Sequence, residues 1–298
     1  MEKKTNQEQL NYYLELSKDE PENAYPLKQV AYYYQQLGQF KNALEYHEKV
    51  AILQPLDTWN LGNMGFCYQQ EDDYYTALSF HQKTYTIDEN DTWNLGHLAY
   101  CYQQIDEFRN ALTYYEVLHQ LNPKDAWIFQ NAGFCAQELY DYEKALKYYK
   151  IANSLTPQNT YIIDSMGYCY AQNNQLEEAI ECFLKVRQIS PQEVWNLGPL
   201  GWAYFRIGDI EKGKSYLEKA AENAPENHDL MHLGHVYFCL GEDEKAKIYY
   251  QKSMKMFEEK EEFLDDFEEE YEYLKQYQVN MGEYRQLKME LSFLGNNL

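Results

Sequence analysis

Between Thr92 and Asp125 the apolar residues follow two short helical rhythms. Leu95, Leu98, Ala99 and Tyr102 recur at i, i+3, i+4 and i+7, one face of a helix. Ala111, Tyr115 and Leu118 repeat that spacing and predict a second helix, with a polar, turn-length segment at Gln104–Phe108 between them. Asp91 is placed to cap the first helix by accepting backbone N–H bonds. Pro123 stops the second, because it has no N–H to donate and disfavours helical geometry before it. Two such helices cannot bury their apolar faces alone; stacked copies can.

The pattern recurs along most of the chain. Repeat one covers 24–57 (Val30, Ala31, Tyr34, Ala43, Pro55) and repeat two covers 58–91 (Leu61, Met64, Gly65, Tyr68, Ala77). Repeat three is 92–125, and repeat four is 126–159 with Gly133, Ala145 and Pro157. Repeat five is 160–193 (Gly167, Tyr170, Ala179, Phe183, Pro191), and repeat six is 194–226, with Gly213 in the slot of the second-helix Ala. Repeat seven starts at Asn227 and lacks a terminal Pro, so its second helix is expected to run on toward Lys260. Residues 1–23 read as a lone second helix (Leu10, Tyr13, Leu14, Leu16) covering the first full repeat. After 260 the period is lost. Phe263, Phe267, Tyr271 and Leu274 make an apolar stripe on an acidic helix, and Tyr284, Leu287, Leu291 and Leu294 suggest one more. This tail reads as a cap for the array's end, or as an acidic patch for a basic partner.

With Leu95 in the Trp slot and Ala99 in the Gly slot, residues 92–125 resemble the tetratricopeptide repeat, W-x2-L-G-x2-Y, A-x3-F, P. The resemblance implies an all-α, right-handed α-solenoid of seven helix–turn–helix repeats with terminal capping helices. The domains expected are an N-terminal capping half repeat at 1–23, the repeats at 24–260 and acidic capping helices at 261–298.

Composition narrows the partners. The chain has 298 residues, with 26 Lys and Arg against 48 Asp and Glu, a formal charge of −22. Such a surface repels phosphate, so neither nucleic acid nor an anionic membrane is an expected partner. The opening MEKKTNQEQL has no apolar signal-peptide core and no long apolar run follows, which makes the cytoplasm the expected compartment. The six Cys fit it as reduced thiols.

Residues repeated without being needed by the fold carry the functional information. Three ladders recur. Trp59, Trp93, Trp127, Tyr161 and Trp195 are the second residues of repeats two to six. Tyr32, Phe66, Tyr100, Phe134, Tyr168 and Trp202 are the ninth. Gln36, Gln70, Gln104, Glu138 and Gln172 are the thirteenth, beside Gln35, Gln69, Gln103 and Gln137. Separations of seven and four put the ladders on one stripe of the first helix. The resemblance implies that this stripe lines a concave, ligand-binding groove. Asn63 and Asn131 add amides to it, and Lys28 and Arg206 are among its few cations.

Amides match the donors and acceptors of a peptide backbone, and aromatic rings give large contact area at low entropic cost. An extended protein or peptide segment is therefore the expected ligand, with a glycan as another. The family's carboxylate clamp needs several Lys or Arg that this chain mostly lacks. The rival reading is that each Trp covers its neighbouring repeat, with Gly62, Gly96 and Gly198 receiving the rings, since Gly within a helix costs about 1 kcal/mol relative to Ala.

Other ladders suggest less. Cys67, Cys101, Cys135 and Cys169 occupy a small buried slot, too far apart for a shared zinc or a disulfide. His47 and His81 stand where other repeats carry an aromatic packing residue. His228, His232 and His235 line up at i, i+4, i+7 on the groove stripe, where ordinary polar contacts are the expected role and a shared metal the alternative; no nearby acid completes a metal site, and His228 is close to the turn. No phosphate loop, nucleophile elbow or isolated carboxylate pair points to catalysis, and no cofactor is expected. The expectation is a non-catalytic binding scaffold or adaptor. The alternative is a ligand sensor whose superhelix responds to a small peptide or glycan. Homo-oligomerisation stays open.

Overall fold

The computed structural model describes residues 5–294, apart from the side chain of Leu294. The chain groups into two compact units, residues 1–155 and 156–298. The fold is all-α, and consecutive helices pack in pairs, as the periodicity predicts.

In the first unit, α1 (Asn6–Asp19) precedes four pairs: α2/α3 (Ala24–Gln36, Phe40–Leu53), α4/α5 (Thr58–Gln70, Tyr74–Ile87), α6/α7 (Thr92–Gln104, Phe108–Leu121) and α8/α9 (Ala126–Glu138, Tyr142–Leu155). The first helices start where a short polar side chain can take a free backbone N–H. Asn23 accepts from Tyr25 N at 3.0 Å, Asp57 from Asn60 N at 2.7 Å, Asp91 from Asn94 N at 3.0 Å and Asp125 from Trp127 N at 3.0 Å. The turn inside each pair is made by one left-handed residue: Gly38 (φ +70°), Asp72, Asp106 and Tyr140 (each φ +60°). Tyr140 is the misfit, since only Gly, Asn and Asp adopt this geometry readily. At the N-terminus, Leu10 of α1 is buried and Tyr13 stacks on Tyr33 of α2 at 5.8 Å.

Polar pairs tie neighbouring repeats inside this unit. Asn60 and Asn94, third in their repeats, each reach the twenty-fourth residue of the preceding repeat. Asn60 Oδ1 lies 2.7 Å from His47 Nδ1, and Asn60 Nδ2 donates to the His47 carbonyl at 3.0 Å. Asn94 treats His81 the same way, at 2.8 and 3.0 Å. Where the second-helix residue is Tyr115 instead of His, the third residue is Ile128, and both are buried.

The second unit holds α10/α11 (Thr160–Gln172, Leu176–Ile189), α12/α13 (Leu197–Arg206, Ile210–Asn223) and α14/α15 (Asn227–Cys239, Asp243–Met254). Then come α16 (Lys260–Glu269), α17 (Tyr271–Leu274), a 3-10 turn (Lys275–Tyr277) and α18 (Met281–Leu294). Two expectations need correction. The second helix of repeat seven stops at Met254. And α12 begins three residues later than its counterparts, so Trp195 stands in the turn before it. Pro199 is the reason. It has no N–H for a mid-helix bond, and a start at Leu197 puts it in the first turn, where none is needed. Glu193 replaces the short capping residue and instead accepts the Trp195 indole N–H at 2.9 Å.

The tail's apolar stripe is buried in the core of this unit: Phe263, Phe267, Tyr271 and Leu274 join Tyr237, Tyr250, Tyr284, Leu287 and Leu291. Phe267 stacks on Tyr284 at 4.3 Å. Tyr277 donates its hydroxyl to the Phe205 carbonyl at 2.5 Å, so the tail folds back along α12. Leu294, expected on the same stripe, has its side chain outside the described set. Among the described residues, no helix is long and apolar enough to cross a membrane.

Candidate functional site

The first unit brings together three of the expected Trp residues. Trp59, Trp93 and Trp127 each sit second in a first helix, two residues after its cap, and remain 42%, 45% and 42% exposed. The inner face of the ring is spent on packing. A Cβ on Gly62 would lie 3.1 Å from the Trp93 ring, and one on Gly96 would lie 3.7 Å from that of Trp127. The Trp93 and Trp127 rings thus each pack against a glycine of the preceding repeat while staying partly exposed. Gly198 does not follow this pattern. Repeat seven has no Trp, and the Asp229 carboxylate fills the space, 1.6 Å from where a Gly198 Cβ would stand.

Three rungs of the ninth-residue ladder are half-buried here. Phe66, Tyr100 and Phe134 meet Phe40, Tyr74 and Phe108 edge-on at 6.0, 6.4 and 5.9 Å. Gln70 and Gln104 are exposed beside them. Their neighbours are internal. Gln35 Nε2 donates to Cys67 Sγ at 3.1 Å and to His47 Nε2 at 3.2 Å, and Gln103 Oε1 accepts from the Tyr115 hydroxyl at 3.0 Å. Asn63 and Asn131 have their amide donors committed, each to the carbonyl four residues back, Trp59 and Trp127, at 2.7 Å. Asn131 is moreover buried. These two offer a ligand less than the sequence pattern suggests.

Two open clefts lie between the Trp residues. One, of about 450 Å³, is walled by Trp93, Trp127, Gly96, Tyr100, His97 and Asp125. The other, of about 680 Å³, is walled by Trp59, Trp93, Tyr32, Phe66, Asn63 and Asp91. His97 is the contributor missed by the sequence reading, although it is the sixth residue of its repeat, like Asn63 and Asn131. Its Nδ1–H donates to Gln69 Oε1 at 2.8 Å, and its ring lies 4.3 Å from Trp93 and stacks on His81 at 5.5 Å. Burial, then the neighbouring His81, push His97 down to about 4; burial pushes His81 to about 4 as well, against the opposing hydrogen bond from Asn94. Both rings are neutral at pH 7.

In the second unit Tyr161, Tyr168 and Trp195 are exposed, but Trp202 is half-buried under the chain's own tail. It stacks on His232 at 3.9 Å and meets Tyr273 edge-on at 5.6 Å. The Arg206 guanidinium lies 4.5 Å from the Tyr273 ring centroid. A cleft of about 600 Å³ remains beside them, reaching Tyr168 and Gln172.

The tail also supplies partners for the three histidines. His228 lies inside α14, and acids absent from the local sequence arrive from α16 and the residue after it. His228 Nε2 is 3.0 Å from Asp266, while His232 and His235 Nε2 each lie 2.9 Å from one oxygen of Glu270. His235 Nδ1 meets the Tyr250 hydroxyl at 2.8 Å. The Nε2 atoms are thus committed to carboxylates, and among the described residues no group of three or more His, Cys, Asp or Glu is arranged to hold a metal. Burial alone would raise the Glu270 carboxyl, but the His232 charge and the imidazole hydrogen bonds outweigh it and hold the group below the usual carboxylate range. Burial lowers His235.

The cysteine ladder is structural. Cys67, Cys101, Cys135 and Cys169 are buried and free, and burial raises their thiols to about 11, 12, 12 and 12. Cys101 and Cys135 donate to Gln69 and Gln103 at 3.9 and 3.8 Å.

The tetratricopeptide repeat family model matches residues 163–193, 200–227 and 230–260. Solved structures extend the likeness over most of the fold. A tetratricopeptide repeat protein from Parabacteroides merdae ATCC 43184 is 18% identical, covers 86% of this chain and 99% of its own, and superposes with a TM-score of 0.61. Residues 163–193, 200–227 and 230–260 thus carry tetratricopeptide repeats, and the fold as a whole is of that kind. YrrB, described as a tetratricopeptide repeat protein with an unusual peptide-binding site, is 19% identical over 61% of this chain and 93% of its own, with a TM-score of 0.57. MamA from Desulfovibrio magneticus RS-1 is 20% identical over 57% and 96%, with a TM-score of 0.55. At these identities the likeness speaks for the fold alone. A search of curated proteins found no match.

Proposed function

We propose that this protein is a non-catalytic interaction scaffold, and that it holds an extended protein segment against the first helices of its first unit. One observation carries the reading. The fold commits Gln35, Gln103, Asn60 and Asn94 to internal bonds, yet leaves Trp59, Trp93, Trp127, Gln70 and Gln104 in register and facing outward. Rings with one face open supply contact area, and free amides supply partners for a peptide backbone. The test is an array of blocked extended peptides probed with wild type and with a Trp93→Ala, Tyr100→Ala, Trp127→Ala variant of unchanged helical circular dichroism. Peptides retained by wild type and lost by the variant support the reading. Identical binding patterns sink it.

A further inference from the structure

The first unit contains one Trp site that the chain fills itself. Lys28, fifth residue of repeat one, places its ammonium 2.5 Å from Asp57 Oδ2 and 5.9 Å from the Trp59 ring centroid. The same Asp57 caps α4 through its other oxygen. A cation held between a carboxylate and an indole face is stabilised by both the charge-assisted bond and the ring quadrupole.

The next two repeats keep the cage and lose the cation. Asp91 and Trp93 stand where Asp57 and Trp59 do, and so do Asp125 and Trp127. Asp91 and Asp125 spend Oδ1 on capping, at 3.0 Å each. The fifth residue is now Gly62 or Gly96, which has no side chain to reach Oδ2. Each carboxylate opens into the same cleft as its Trp, and among the described residues neither cleft is lined by Lys or Arg. The chain's charge of −22 draws cations toward such a surface.

We propose that Asp91 with Trp93, and Asp125 with Trp127, are cation pockets for two Lys or Arg side chains of an extended basic segment of a partner protein. This rests on the scaffold reading and names its partner class. Adjacent packed helices lie about 8–10 Å apart and an extended chain advances about 3.3–3.6 Å per residue, so the two cations belong about three residues apart.

The test uses the full chain and a blocked extended peptide carrying two Lys three residues apart. The control is the same peptide with both Lys acetylated. Binding is read by tryptophan fluorescence at two salt concentrations. Acetylation is expected to weaken binding at least about tenfold, and high salt to weaken the Lys peptide alone. Asp91→Asn with Asp125→Asn is expected to cost a similar factor while leaving the helices intact, since Asn caps as well as Asp. Gly96→Lys, which copies Lys28, is expected to fill the second pocket and weaken binding; Lys28→Ala opens a third and strengthens it for a longer peptide.

Equal binding of both peptides, or no effect of the Asp variants, overturns the cation pockets. If Trp93→Ala with Trp127→Ala still abolishes binding in that case, the scaffold reading survives. Salt-sensitive binding of the Lys peptide that ignores both the Asp and the Trp substitutions is nonspecific attraction and overturns the proposal. So does a wild-type protein that does not bind it.

Discussion

Replacing Asn94 with Ile tests the polar pair that joins repeats two and three. Asn94 and His81 are both fully buried. Asn94 accepts the ring N–H of His81 and donates to its carbonyl. The carbonyl keeps its helical partner after the change, but the ring N–H loses the one partner it has among the described residues. The other ring nitrogen, Nε2, is already buried without a partner. An orphaned buried donor costs about 1–3 kcal/mol, so Asn94→Ile is expected to destabilise by about that amount. His81→Tyr alone strands the Asn94 oxygen, and a similar loss follows.

The double variant recreates the Tyr115–Ile128 pairing of the next repeat junction. Its new hydroxyl has a precedent too: Tyr115 and Tyr149 donate to the twelfth-residue amides Gln103 and Gln137 at 3.0 and 3.3 Å, and Gln69 is their equivalent. Gly65 leaves room for the ring, as Gly133 does for Tyr149. The double variant should therefore recover most of the loss, with a coupling of about 1–3 kcal/mol in a double-mutant cycle. Urea denaturation followed by circular dichroism measures it. Strictly additive losses would refute the pairing.

Three further outcomes follow from the same geometry. Burial holds His47 and His81 neutral at about 4 against an ordinary 6.5, so the unfolded chain binds protons first; stability is full above pH 6.5 and drains as pH falls toward 4, by up to about 3 kcal/mol for each ring. Melting temperature against pH should fall in that window for wild type and fall less for the His81→Tyr, Asn94→Ile double variant; equal slopes would count against buried neutral rings. Tyr140→Gly relieves a left-handed residue whose ring is 79% exposed. A left-handed cost of about 1–2 kcal/mol, less the added entropy of Gly, predicts a net gain of about 0.5–1 kcal/mol in the same denaturation assay. Gly198→Ala drives a methyl into the Asp229 carboxylate and is expected to cost about 1–3 kcal/mol, with Asp229→Ala on the same background restoring part of it. An unchanged melting temperature for Gly198→Ala would show that Asp229 moves away freely.

The helix pairs, their caps and the Trp and Gln ladders were legible because each depends on residues a few places apart, repeated in one register. Pro199 was also in view, and its lack of an N–H sets the late start of α12, but the repeat pattern alone placed Trp195 on a helix. The Asn–His pairs, thirteen residues apart in sequence, become readable once the repeats are aligned. The same alignment explains why Asn196, opposite Phe183, keeps a buried oxygen without a partner: Phe supplies only its carbonyl.

The histidine trio marks where sequence reasoning stops. A stripe at i, i+4, i+7 is a property of one helix and is visible in the letters. Whether it binds metal depends on what faces it, and Glu270 comes from 38 and 35 residues away, after a break in the period. The same return of the tail covers Trp202. Local spacing and hydrophobic periodicity thus determined the repeats and the faces of their helices. Only the tertiary structure decided which of those faces the chain covers with its own aromatic and acidic residues, because that choice rests on contacts between segments no period connects.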